Sequence, residues 1–144
     1  MATDITIKNL QTAIPIRHNQ ILKAAKEFLR AKRVEDAQLS LVFTSTSTIK
    51  QLNKKYLNRS YATDVLAFDL GDKKSSAKNF HGEIIICAQT AQRNSKIFRT
   101  RLADELLLYV AHGILHILGF DDHEPKDIKR MRREEQKLLK LISA

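Results

Sequence analysis

The chain has little with which to staple or anchor itself. It contains one cysteine, Cys87, so no internal disulfide can form, and that usage fits a reducing compartment. No run approaches the ~18 apolar residues of a membrane span. The opening segment, Met1-Ala-Thr-Asp-Ile-Thr-Ile-Lys8, lacks the basic-then-apolar order of a signal peptide. These absences predict a soluble, cytoplasmic protein. With two prolines and four glycines in 144 residues there is no Pro/Gly linker. Nor is there an internal repeat or low-complexity tract, so a single domain over 1–144 is expected. Negative charge is also short: 25 Lys and Arg face 16 Asp and Glu, a formal net charge of +9. Some of that excess serves solubility, but its size points to a polyanionic partner, nucleic acid first. No arginine-rich tail carries it, so any basic surface must be assembled by folding. A chain this long buries roughly 68–70% of its unfolded surface, so it needs no metal merely to fold.

What is present reads as alternating strands and helices. Ile5–Lys8 alternates as a first strand, and Ile21–Ala31 has helical apolar spacing. Gln38–Phe43 places Leu39, Leu41 and Phe43 on one strand face. Ser45 or Ser47 can cap a helix carrying Ile49, Leu52 and Tyr56. Asp64–Leu70 and Glu83–Cys87 read as strands, with Cys87 a small buried residue and the polar Gly71–Phe80 segment a mobile loop. Helices follow over Ala88–Phe98 and Arg101–Leu118, and Pro125 suits the first turn of a last helix. The order predicts an α+β fold, a four-stranded mixed sheet with packed helices. In the last helix Ile128, Met131, Glu135, Leu138 and Ile142 form one stripe. Glu135 either reaches solvent from the stripe's edge or is a buried carboxylate partnering a histidine or arginine of the site.

Three of the five histidines fall in His112-Gly-Ile-Leu-His116-Ile-Leu-Gly119-Phe-Asp-Asp-His123. Positions i and i+4 share a helix face, so His112 and His116 can direct two imidazoles at one ion from a zincin-like HxxxH helix. Gly119 can end the helix and let the chain return a third ligand from His123. Three protein ligands with an open fourth position describe a catalytic zinc site, with one Zn2+ per chain held by His112, His116 and His123.

Together with that motif, Leu52-Asn53-Lys-Lys-Tyr56, Thr63-Asp64-Val65-Leu66-Ala-Phe68 and Gly82-Glu83-Ile84 resemble the YbeY family of bacterial rRNA maturation endoribonucleases, over about Ser40 to Leu139. The resemblance implies a single zinc, cleavage of single-stranded RNA, and rRNA precursors and ribosomal particles as partners. The chain departs from the family pattern in two places. Many members carry arginine directly after the tyrosine, where this chain has Leu57. Arg59 either takes over that role, clamping the scissile phosphate as a catalytic residue alongside His112, or is a solvated loop residue. The family's third ligand lies six residues after the second histidine, which here is Asp122, with His123 one further on. His123 is the favoured ligand because a turn can absorb one extra residue, leaving Asp121 and Asp122 to cap the final helix or support a ligand.

Two other functions share parts of this pattern. A metallopeptidase of the HExxH kind carries its general base directly after the first histidine, and that position is Gly113 here, so Glu83 or Asp121 would have to substitute. An RNA- or ribosome-binding assembly factor with a non-catalytic zinc is the other alternative.

Overall fold

The computed structural model describes residues 2–57 and 65–142. Its elements are β1 (Thr3–Asn9), α1 (His18–Ala31), β2 (Ala37–Thr44), α2 (Thr46–Leu57), β3 (Val65–Asp69), β4 (Phe80–Cys87), α3 (Ala88–Phe98), α4 (Leu102–Ile117) and α5 (Pro125–Lys140). The strands form one mixed sheet in the order β1-β2-β4-β3. β1, β2 and β4 run parallel, and β3 runs antiparallel to β4. The α+β architecture expected from the sequence is the one that forms. Among the described residues no helix is long and apolar enough to cross a membrane.

The central strands are apolar on both faces because both faces are covered, as is usual for parallel sheets. Leu39, Leu41, Phe43, Ile84 and Ile86 face a core shared with Phe28 and Leu29 of α1 and Val110, Ile114 and Leu115 of α4. Val42, Ile85 and Cys87 point the other way, into a smaller cluster with Ile49 of α2. Cys87 is fully buried and accepts a hydrogen bond from Thr90 Oγ1 at 3.1 Å, so it serves the packing of the strand end. Of the two candidate caps for α2, Ser45 is the one used: its Oγ accepts the Thr48 N–H at 3.3 Å.

Of the Gly71–Phe80 segment, residues 71–79 form the expected loop and Phe80 opens β4, and specific contacts hold the loop. The Asp69 carboxylate accepts the Ser75 N–H at 2.7 Å and the Ser75 hydroxyl at 2.6 Å. Ser75 Oγ in turn accepts the His81 N–H at 3.0 Å. Burial pushes the Asp69 carboxyl up, but the bonds from Ser75 and Gly71, with the nearby His81, outweigh it and hold the group below its ordinary value. This pin lets β4 start at Phe80, three residues before the apolar run announces it.

α4 lies close against the sheet because residue 113 has no side chain. A Cβ placed there would lie 2.7 Å from both Cδ1 and Cγ2 of Ile84. The helix ends on Gly119, at φ +102, with Gly119 N–H on His116 O and Phe120 N–H on Leu115 O, both 3.0 Å. That pair of bonds is a Schellman cap, which turns the chain sharply. Phe120 then meets the cations of Lys32 (4.9 Å) and Arg130 (4.7 Å) over its ring. Lys32 also pairs with Glu134, tying the end of α1 to α5. Gly113→Ala should therefore destabilise the protein by roughly 1–3 kcal/mol through overpacking. The ~1 kcal/mol that alanine gains in helix propensity offsets part of that loss, but three contacts under 3.0 Å on Ile84 put the cost above the low end of the range. Urea unfolding checks it, and an unchanged or raised midpoint would contradict the close approach.

Candidate metal centre

A helix turns about 100° per residue, so with Gly113 facing the sheet, His112 and His116 fall together on one flank of α4. That flank is where α5 packs, with Met131, Glu135 and Leu138 buried. The two imidazole centroids are 6.0 Å apart with their planes at 62°. Glu135, 7% exposed, places Oε2 2.6 Å from His112 Nδ1. An ionised carboxylate can only accept, so Nδ1 carries a proton, and in the neutral ring Nε2 keeps its lone pair. The carboxylate of Asp122, delivered by the turn after Gly119, stands opposite both rings. Its Oδ2 is 3.6 Å from His112 Nε2 and its Oδ1 is 4.0 Å from His116 Nε2.

His112, Glu135 and Asp122 open onto a cleft of about 390 Å³ whose apolar lining comes from Leu108, Ile128 and Met131, and His116 stands outside that lining. Tyr109 and Arg132 line it as well. Asn94 Nδ2 donates to the Tyr109 hydroxyl at 2.7 Å and so steadies the ring in the cleft wall. Neither Tyr109 nor Arg132 stood out in the sequence. Tyr109 lies one turn before His112 on the same face, and Arg132 lies one turn before Glu135, so helical spacing held the signal for both.

The residues singled out from the sequence separate clearly. His112 and His116 come together as the spacing requires. Glu135 is the buried carboxylate of the two alternatives, bonded to His112 rather than reaching solvent. His123 has its side chain 73% exposed, and its Nε2 lies 3.3 Å from Asp121 Oδ1. Asp121, Asp122 and His123 also bring one donor atom each within 4.8 Å of one another, a second arrangement able to hold a cation. Asp122 belongs to both groupings. Arg59, Thr63 and Asp64 lie outside the described residues. Arg17 lines a different cleft with Arg101 and Asp104, away from the histidines.

Position 113 faces Ile84, not the cleft. A Cβ there meets Ile84, and glycine offers no proton acceptor, so position 113 supplies no peptidase base. Glu83 sits on β4 in register with Phe68 of β3 and is no part of the cleft lining.

Residues 6–143 match the family model for Endoribonuclease YbeY. The chain is 32% identical to the Endoribonuclease YbeY of Syntrophus aciditrophicus over 146 residues, covering 99% of this chain and 91% of that protein. It is 30% identical to the Desulforamulus reducens protein of the same name over 148 residues, covering 96% of each. The Myxococcus xanthus Endoribonuclease YbeY is 36% identical over 117 residues, but this chain spans 40% of its length. A solution structure from Thermotoga maritima superposes with a TM-score of 0.66 at 28% identity, covering 96% of this chain and 88% of that one.

The contact between Glu135 and His112 can be read directly. In metal-free protein above the imidazole pKa, His112 should be the Nδ1–H tautomer, visible in its ring 15N shifts, and Glu135→Leu should abolish that preference. A His112 ring protonated on Nε2 in the unsubstituted protein would refute the assignment.

Proposed function

This chain belongs to the YbeY family of endoribonucleases, and from that footing we propose that it is a zinc-dependent enzyme that cleaves single-stranded RNA in rRNA maturation. Its substrates would be rRNA precursors and ribosomal particles in the cytoplasm, with one zinc per chain. The observation that supports this reading most is the hydrogen bond from His112 Nδ1 to buried Glu135. Metal-ligating histidines characteristically give their other ring N–H to a carboxylate, which fixes the tautomer and raises the basicity of the ligating nitrogen. The residues present therefore fit a divalent ion. His112 and His116 would hold it through Nε2, with a third donor from the turn carrying Asp121, Asp122 and His123. When bound, zinc supplies a Lewis acid for a phosphoryl oxygen.

The chain's own residues supply the rest. Glu135 keeps a proton at His112 Nδ1 and fixes the ring plane. Arg132 brings a guanidinium to the cleft, where it can take a phosphate in the paired geometry that arginine favours. Arg59 is proposed as a second phosphate clamp, in place of the arginine that Leu57 replaces. The apolar wall of Leu108, Ile128 and Met131 can pack a base or ribose. The net charge of +9 provides sequence-independent affinity for the RNA backbone, which falls steeply with salt.

Purified protein, with and without chelator, should be assayed on single-stranded RNA and on casein, with His112→Ala as the control for contaminating nuclease. Cleavage of RNA alone, lost on chelation and in His112→Ala, is the expected result. RNA binding without cleavage would favour the assembly factor, and casein hydrolysis would favour the peptidase. In the same assay Arg59→Ala should lose most cleavage while retaining metal and fold. Undiminished activity would pass the clamp to Arg132, which lines the cleft, whereas Arg17 lines another.

A further inference from the structure

We propose that Asp122, not the His123 expected from the sequence, is the third protein ligand. The centre is then a two-histidine, one-carboxylate site. The inference rests on the reading that a metal binds between His112 and His116, and it adds which donor completes the set and what that does to metal choice.

The first argument is electrostatic. With Glu135 holding a proton on Nδ1, the neutral His112 ring presents its lone pair at Nε2. An Asp122 carboxylate presents only lone pairs, yet Oδ2 faces that Nε2 at 3.6 Å and Oδ1 faces His116 Nε2 at 4.0 Å. In the neutral state the Nε2 lone pair of His112 and the Asp122 carboxylate do not attract one another. A shared cation makes all three contacts favourable.

The second argument is geometric. The Schellman cap fixes Gly119 and Phe120, and α5 begins at Pro125. Phe120 is held further by the Lys32 and Arg130 cations over its ring. The segment between is too short to rearrange freely. In it Asp122 points toward the histidine pair, while His123 turns out to Asp121. Bringing the His123 ring to the pair would require breaking that contact and displacing Asp122.

The chemistry of such a site differs from that of three imidazoles. A carboxylate ligand binds zinc at ~2.0–2.2 Å and lowers the formal charge of the centre from +2 to +1. Oxygen donors also favour manganese more than imidazole does. The ion held here is therefore less selectively zinc than a tri-histidine centre would be.

The test is metal affinity of chelator-stripped protein, measured with zinc, cobalt(II) and manganese(II) by indicator competition, elemental analysis and cobalt d–d absorption. Circular dichroism monitors the fold. Asp122→Ala should lose zinc affinity by more than ~100-fold, above the 10–100-fold that an outer-sphere partner costs. His123→Ala and Asp121→Asn should each retain one zinc per chain. Asp122→His should restore stoichiometric zinc, which also shows that the turn still folds, and should shift preference from manganese toward zinc by at least about tenfold. Loss of the ion in His123→Ala with retention in Asp122→Ala would overturn the assignment. If the unsubstituted protein binds no divalent ion, or His116→Ala binds it unchanged, the metal reading itself fails and this inference with it.

Discussion

The contact of Gly113 with Ile84 is the constraint on which the rest of the site depends. It brings the axis of α4 down onto the central strand, and it settles which way every other residue of that helix faces. Once position 113 looks at the sheet, 112 and 116 must look sideways. The same close approach keeps a glycine at the position where an HExxH motif carries its general base. Packing and chemistry are thus decided by a single missing side chain.

The second half of the site is assembled by α5, a helix with few apolar anchors of its own. Met131 and Leu138 are buried, while Ile128 and Leu139 are partly so. Polar contacts supplement them. Glu135 reaches His112, and adjacent Glu134 pairs with Lys32 and with Lys137, which together hold its carboxyl below the ordinary value. Neighbouring acids on one helix thus serve two neighbours, one toward α4 and one toward α1. The short turn between α4 and α5 then has its two ends fixed, and Asp122 is carried in it against the histidine rings.

Much of this was legible in the residues. Apolar spacing located α1, α3, α4 and α5 to within a few positions, and alternation found β2. The histidine pair was legible because i, i+4 spacing is a local property of one helix. The start of β4 was not, since Phe80, His81 and Gly82 become a strand only once Ser75 and Asp69 pin the preceding segment. Glu135 was visible as an anomaly on an apolar stripe, but its partner lies 23 residues earlier and on another helix. The roles of Asp122 and His123 turn on the path of a four-residue turn, which no periodicity encodes.

The strand order has a consequence for the newly made chain. β4 lies between β2 and β3, so the inner edge of β2, with Leu39, Leu41 and Phe43, has no permanent neighbour until Phe80–Cys87 has been synthesised. Thr44 pairs with Cys87, about forty residues later. At roughly 5–20 residues per second that is a wait on the order of several seconds. An unpaired edge in an apolar strand is a template for association with other chains. Nascent copies emerging close together on one messenger would present that edge to each other, so the spacing between translating ribosomes bears on how much of this protein reaches its native sheet.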